Sequence, residues 1–236
     1  MSTYIQMTDL HIDNSDTELK HLDPRRNTEL VLRTISKNKV ERVIITGDIA
    51  ESNSGNIWFI SSINNHNIVY DLVMGNHDDN KYYQTEIFKS NKSYKAFEQD
   101  NFLNIFLDSS RSIIDESQLI WLNETISRTN LDIIVFIHHP ILDCGNSVMD
   151  IKYPLLGRTN IIRMLVESGK RVHIFCGHYH TDFTTVFKNI IQYVTPSTLY
   201  QLKMHSEKLE IESERIGYRI ININGTVIET EVKYLK

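Results

Sequence analysis

Short apolar runs, each closed by a glycine or a polar cluster, recur along the first three quarters of the chain. Thr3–Thr8, Arg42–Thr46, Ile68–Met74, Phe102–Leu107, Leu131–Ile137 and Val172–Cys176 are rich in β-branched and aromatic residues. Runs of this length and composition predict strands. Between them, apolar residues fall at helical spacing. Leu30, Val31, Leu32 and Ile35 mark a helix over 27–38 that starts near Pro24, and Trp58, Phe59 and Ile63 one over 56–65. Leu119, Leu122 and Ile126 mark one over 117–128, and a fourth covers 160–168. Strand and helix in alternation predict parallel pairing through right-handed crossovers. After Gly177 the rhythm changes. Thr184–Phe187, Ile190–Val194, Tyr200–Lys203, Leu209–Ser213, Tyr218–Asn222 and Thr226–Lys233 follow one another with no helix between them, and Asn224-Gly225 is a hairpin signal. Residues 9–27 and 143–158 read as loops, and the polar stretch 79–101 as an insertion or lid with some helix. The pattern as a whole predicts one α/β domain over residues 1–236, with two packed sheets and outer helices.

What closes each strand is more informative than the strands themselves. Asp9 and His11 follow the first, Gly47-Asp48 the second, and Gly75-Asn76-His77-Asp78 the third. His138-His139-Pro140 follow the Leu131 strand, and Gly177-His178-Tyr179-His180 the Val172 strand. Ligands bind at the carboxyl ends of parallel strands in open α/β sheets, so five such ends would converge on one crevice. In extended chain Asp9 and His11 would point to the same side, as would His178 and His180. Each motif alone has an ordinary structural explanation, as a turn, a cap or a polar strand end. Their joint occurrence, always after an apolar strand, does not. Seven residues (Asp9, His11, Asp48, Asn76, His138, His178 and His180) are too many for one tetrahedral ion, but make two shells of four if Asp48 bridges. Oxygen and nitrogen donors without thiolate suit Mn, Fe, Zn or Co, and two such ions form a clamp for phosphoryl displacement.

Composition narrows the partners. The 236 residues are 41% hydrophobic and 23% charged, a globular profile. The 25 basic residues against 30 acidic ones weigh against a nucleic-acid-wrapping surface. Two cysteines, Cys144 and Cys176, rule out a disulfide scaffold. No stretch reads as a membrane span or export signal, which leads to the expectation of a cytoplasmic protein. Six of the ten histidines fall in the strand-end motifs. Lys81–Lys95, with Tyr82, Tyr83 and Tyr94, reads first as a solvated surface segment and alternatively as a substrate wall that stacks on a base. Arg25 and Arg26 read as surface residues, with a phosphate contact the alternative. Trp58, Phe59 and Cys176 read as core.

Read together as D-x-H, G-D, G-N-H-D, H and G-H-x-H over residues 4–182, the motifs resemble those of the calcineurin-like metallophosphoesterases. The resemblance implies a four-layer αββα sandwich, with the tail to Lys236 in its second sheet. It implies two divalent transition-metal ions, one on Asp9, His11, Asp48 and His180, the other on Asp48, Asn76, His138 and His178. It makes metal-bound hydroxide the nucleophile and His77 the catalytic histidine, with Asp78 orienting its ring. Asn76 and His77 would stand near the substrate, and His139 either behind the metal ligands or near the substrate. Asp48 is followed by Ile49, Ala50, Glu51 and Ser52, unlike the Ser/Thr protein phosphatases, and no Tyr follows it until Tyr70, unlike the purple acid phosphatases. His138-His139-Pro140 is similar to the class III cyclic-nucleotide phosphodiesterases and related glycerophosphodiesterases. Ile141 departs from the second proline of many relatives. The implied activity is hydrolysis of small phosphodiesters, with cyclic nucleotides of the cAMP type leading. Phosphomonoesterase, glycerophosphodiesterase and nuclease remain alternatives on the same metals, and a non-catalytic scaffold stands behind them. A homodimer is left open.

Overall fold

The computed structural model describes residues 1–38, 40–89, 92–145 and 147–235, with the side chains of Asn80 and Ser147 left out. Small parts of the expected insertion and of the 143–158 loop therefore lie outside the described residues. Two mixed sheets pack face to face. The first has the order β13-β12-β1-β2-β3 and the second β4-β5-β6-β7-β9-β8. In the first, β1 (Ser2–Met7), β2 (Arg42–Thr46) and β3 (Tyr70–Val73) are parallel. In the second, β5 (Phe102–Phe106), β6 (Asp132–Phe136) and β7 (Val172–Cys176) are parallel.

Side-chain alternation builds the layers. Ile5, Met7, Val43 and Ile45 face outward and pack with Val31, Leu32 and Ile35 of α1 (Pro24–Ile35) and Phe59 and Ile63 of α2 (Asn53–Asn65). Tyr4 and Ile44 face inward, against Phe106, Ile134, Phe136 and Phe175 of the opposite sheet. Successive strands of a pleat point alternate residues to opposite faces, so each apolar run serves two cores. The far side of the second sheet carries α4 (Glu116–Ser127) and α6 (Arg158–Glu167) through Leu122, Ile126, Ile161 and Leu165. Phe97, Phe106, Phe136, Phe175 and Tyr193 lie ring beside ring across that sheet, with centroids 4.9–5.7 Å apart. Side-chain caps fix the helix starts: Asp23 accepts from the Arg26 N–H, Ser52 from that of Gly55 and Asp115 from that of Gln118.

Several expectations are corrected. The tail does not form the second sheet. The β8–β9 hairpin (Phe183–Phe187, Ile190–Val194) adds to β7, and the β12–β13 hairpin (Ile216–Asn224, Val227–Leu235) adds to β1. Each covers an edge whose backbone groups would otherwise be unpaired. β10 (Gln201–Leu202) and β11 (Ile211–Ser213) make a separate ribbon. Within 79–101, a short helix α3 (Asn80–Tyr82) and a π-helical turn (Tyr83–Ile87) lead to β4 (Lys95–Gln99), an antiparallel edge strand on β5. The expected loop 9–27 holds a 3-10 turn at Thr17–Leu19, and the loop 143–158 holds α5 (Ser147–Lys152). Among the described residues, no helix is long and apolar enough to cross a membrane.

Candidate metal centre and its cavity

The carboxyl ends of β1, β2 and β3 and those of β6 and β7 meet at one edge of the sandwich, so the candidate residues come from both sheets. Asp9, His11, Asp48, His178 and His180 all have positive φ, between 46° and 67°. The pairs Asp9/His11 and His178/His180 are therefore not extended, as their spacing suggested. Each residue sits in the left-handed region, which non-glycine residues enter at a cost and which clusters at functional sites. Bonds between loops hold them there. The Asp9 N–H donates to the Gly47 carbonyl, Leu10 and His11 both to that of Asp48, and Gly177 to that of His138. Two glycines permit the approach. A Cβ on Gly75 would lie 2.1 Å from Asp48 Oδ1, and one on Gly177 2.0 Å from Thr8 Oγ1 and 2.6 Å from Asp9 Oδ2.

Asp9, His11, Asp48, His138, His178 and His180 are all buried, while Asn76 and His77 are exposed on the cavity above them. Each of the four buried rings has one nitrogen engaged from outside. His11 Nδ1 lies 3.1 Å from Glu51 Oε1, and His138 Nδ1 donates to the Thr46 carbonyl at 2.8 Å. His178 Nε2 faces the Tyr153 carbonyl at 3.0 Å, and His180 Nδ1 that of Tyr200 at 3.2 Å. The remaining nitrogens turn inward. His11 Nε2 and His180 Nε2 are 3.2 Å apart, as are His138 Nε2 and His178 Nδ1. Asp48 Oδ2 lies 3.2 Å from His138 Nε2 and 3.8 Å from His11 Nε2, and Asp9 Oδ1 lies 3.4 Å from His180 Nε2. Donor atoms of Asp9, His11 and His180 lie within metal-chelating reach of one another, as do those of Asp9, Asp48 and His138.

This donor set fits divalent cations. Two buried carboxylates need compensating charge. Paired inward nitrogens are satisfied only by a proton or a cation between them, and outward nitrogens held by carbonyls or a carboxylate are how metal-binding imidazoles are oriented. The electrostatics agree. Burial opposes ionisation of Asp48, yet His138 and His11 hold its carboxyl well below the usual range. Burial would depress His138, but Asp48 and Asp9 push it up to about 9. His178, buried beside His138, is pushed down to about 3.

Two sequence assignments change, and two alternatives drop out. Asp78 does not orient His77. Its Oδ1 accepts from the Ile49 and Ala50 N–H groups and its Oδ2 from that of Gly75, so it clamps the β2 and β3 loops together. The carboxylate beside His77 is Glu51, whose Oε1 is 3.7 Å from His77 Nδ1. His139 is fully buried between Ser109 Oγ and Ser112 Oγ, at 2.9 and 3.3 Å, and does not line the cavity. The tyrosines of 81–95 make no wall. Tyr83 is buried on Asn56, and Tyr94 packs on Trp121. Arg25 is held by Asp13 and lies over Trp58. The cavity, about 450 Å³, instead takes its sides from Asp16, Glu18, Tyr153, Tyr200 and Leu209.

A family model described as calcineurin-like phosphoesterase matches residues 2–182. A probable cyclic nucleotide phosphodiesterase of Fibrobacter succinogenes is 27% identical over 237 residues, 97% of this chain and 92% of its own. A probable glycerophosphodiester phosphodiesterase, GpdQ, of Arcobacter nitrofigilis is 24% identical over 190 residues, 73% of this chain and 68% of its own. A dimetal phosphatase from Danio rerio has the same fold, with a TM-score of 0.71 at 12% identity over 97% of this chain and 98% of that one.

Proposed function

Since the chain belongs to the calcineurin-like phosphoesterase family and is a hydrolase of phosphate esters, we propose that its substrates are small phosphodiesters, cyclic nucleotides first among them. The observation that carries this reading is the floor of the cavity, where His11 and His138 turn a nitrogen onto buried Asp48 and His180 onto buried Asp9, with His178 Nδ1 facing His138 Nε2. In this reading Asp9, His11, Asp48 and His180 would hold one divalent ion, and Asp48, Asn76, His138 and His178 the other, with Asp48 common to both. When bound, two such ions polarise the phosphoryl oxygens and lower the pKa of the attacking water.

The chain's own residues do the remaining work. His77, with 49% of its side chain exposed, lines the cavity and is the ring that would give a proton to a phosphoryl oxygen or the departing alkoxide. Glu51 lies against both His11 Nδ1 and His77 Nδ1 and acts through them as a positioning residue. Asp78 fixes the loop that carries Asn76 and His77. The likeness to a cyclic nucleotide phosphodiesterase over almost the whole chain supports the substrate class. The likeness to GpdQ supports a second reading on glycerophosphodiesters, and kcat/KM on the two series separates them. The first test is turnover of bis(p-nitrophenyl) phosphate by manganese-loaded protein. Asp48→Asn is expected to lower kcat by more than about a hundredfold. Undiminished turnover in that variant would remove Asp48 from the shared position.

A further inference from the structure

Above its histidine floor the cavity is lined by two carboxylates, Asp16 and Glu18 of the 14–19 segment, together with Tyr153, Tyr200 and Leu209. No lysine or arginine is among the described residues that line it. Both carboxylates are exposed, and that of Asp16 is held by the turn. The Asp16 N–H donates to Asn14 Oδ1 at 2.7 Å, and Asp16 Oδ1 accepts from the Glu18 N–H at 2.9 Å. Farther along, His21 Nε2 meets Glu214 Oε1 at 2.7 Å and ties the segment to the turn before β12. Tyr200 is placed as firmly, its carbonyl facing His180 Nδ1 at 3.2 Å and its ring centroid 4.6 Å from that of His180.

We infer that this cavity selects its substrate by charge, taking a diester whose only anionic group is the phosphate on the floor and whose organic half is uncharged or cationic. The inference rests on the phosphodiesterase reading and names the substrate class within it. Tyr153, Tyr200 and Leu209 offer a planar or apolar group a surface, and the carboxylates accept hydrogen bonds from amino or hydroxyl groups. A second phosphate would find no lysine or arginine among the described lining residues and two exposed carboxylates. At separations of several ångströms in a half-wet cleft, this repulsion weakens binding by roughly tenfold, and salt screens it. Long nucleic acids and bisphosphates are thereby disfavoured, and a cyclic mononucleotide is admitted.

The test compares two ligands with the same base and sugar, 5′-AMP and adenosine 3′,5′-bisphosphate, as inhibitors of bis(p-nitrophenyl) phosphate hydrolysis by the manganese-loaded full chain. 5′-AMP is expected to bind roughly tenfold tighter, with the ratio falling as salt rises. In Asp16→Asn/Glu18→Gln the ratio should fall toward one. Asparagine keeps the acceptor that caps the turn and glutamine keeps the shape of glutamate, so folding is preserved. The inference is overturned if the bisphosphate binds as tightly as 5′-AMP, if neither inhibits, or if the double variant keeps the wild-type ratio. Absence of turnover on bis(p-nitrophenyl) phosphate strikes the phosphodiesterase reading instead; calorimetric binding of the same two ligands then still decides charge selection.

Discussion

His138 is a wholly buried ring with two committed nitrogens: Nδ1 donates to the Thr46 carbonyl, and Nε2 faces Asp48. Burial disfavours its charged form, but the carboxylates of Asp48 and Asp9 prevail and raise it to about 9. Because the folded value lies above the ordinary 6.5, the stabilisation from its proton is complete below about pH 6.5 and is lost as pH rises through 9. A cation that takes the same nitrogen must displace that proton. Manganese uptake by chelator-treated protein is therefore expected to release on the order of one proton from this ring at neutral pH and to tighten toward pH 9. Calorimetric titration in buffers of different protonation enthalpy measures it, and a heat independent of buffer would contradict it. The neighbouring His178, held down to about 3, contributes no proton. At this scale most candidate positions were legible, because donor chemistry is written in short local motifs. Glu51 was not, since it lies three residues beyond Asp48 and carries no motif of its own; the only signal was a carboxylate one loop turn after Gly-Asp. Asp78 was misread because adjacency to His77 in the chain says nothing about which backbone N–H groups will reach its oxygens.

Loops at strand ends depend on residues that leave no room for substitution. Gly177 closes β7 and lets the His178 loop lie directly on Thr8 and Asp9; the His178 N–H donates to both Asp9 oxygens, at 3.1 and 3.0 Å. In Gly177→Ala the new methyl group would overlap Thr8 Oγ1 and Asp9 Oδ2, and Asp9 must give way. The expected result is a protein destabilised by about 1–3 kcal/mol, with kcat lowered about 10- to 100-fold. Urea unfolding and metal content together check it, and wild-type content with wild-type rate would sink it. Parallel strands and amphipathic helices were legible because burial on two faces or one stripe imprints its period on the sequence. β4 was not, because an edge strand with exposed Lys95 and Glu98 looks like polar loop. α5 was not, because six residues are too few to show a helical period.

Between the sheets, beneath the floor, the polar side chain of Gln6 helps to join the two halves of the molecule. Gln6 Nε2 donates to Thr46 Oγ1 at 2.8 Å and to the Cys176 carbonyl at 3.2 Å, while its Oε1 accepts from Thr195 Oγ1. Thr195 in turn accepts from buried Arg219 Nε at 2.9 Å. Thr46 belongs to the first sheet and Cys176 to the second, so Gln6 fixes the register of the two layers that share the candidate centre. Gln6→Leu keeps the volume but strands several buried polar groups, and is expected to cost about 2–4 kcal/mol. Urea denaturation measures this, and a variant within about 0.5 kcal/mol of wild type would show that the layers are aligned by apolar packing alone. By itself the sequence determined the strand–helix alternation, the hairpins and the chemistry gathered at the strand ends, because propensity, period and donor type act over a few residues. Only the tertiary structure decided which sheet edge each hairpin covers, that Glu51 stands beside His77, and that residues as distant as Asp16, Tyr153 and Tyr200 share one cavity. Those outcomes depend on contacts far apart in the chain, where packing of the whole molecule, and no local pattern, sets which side chains meet.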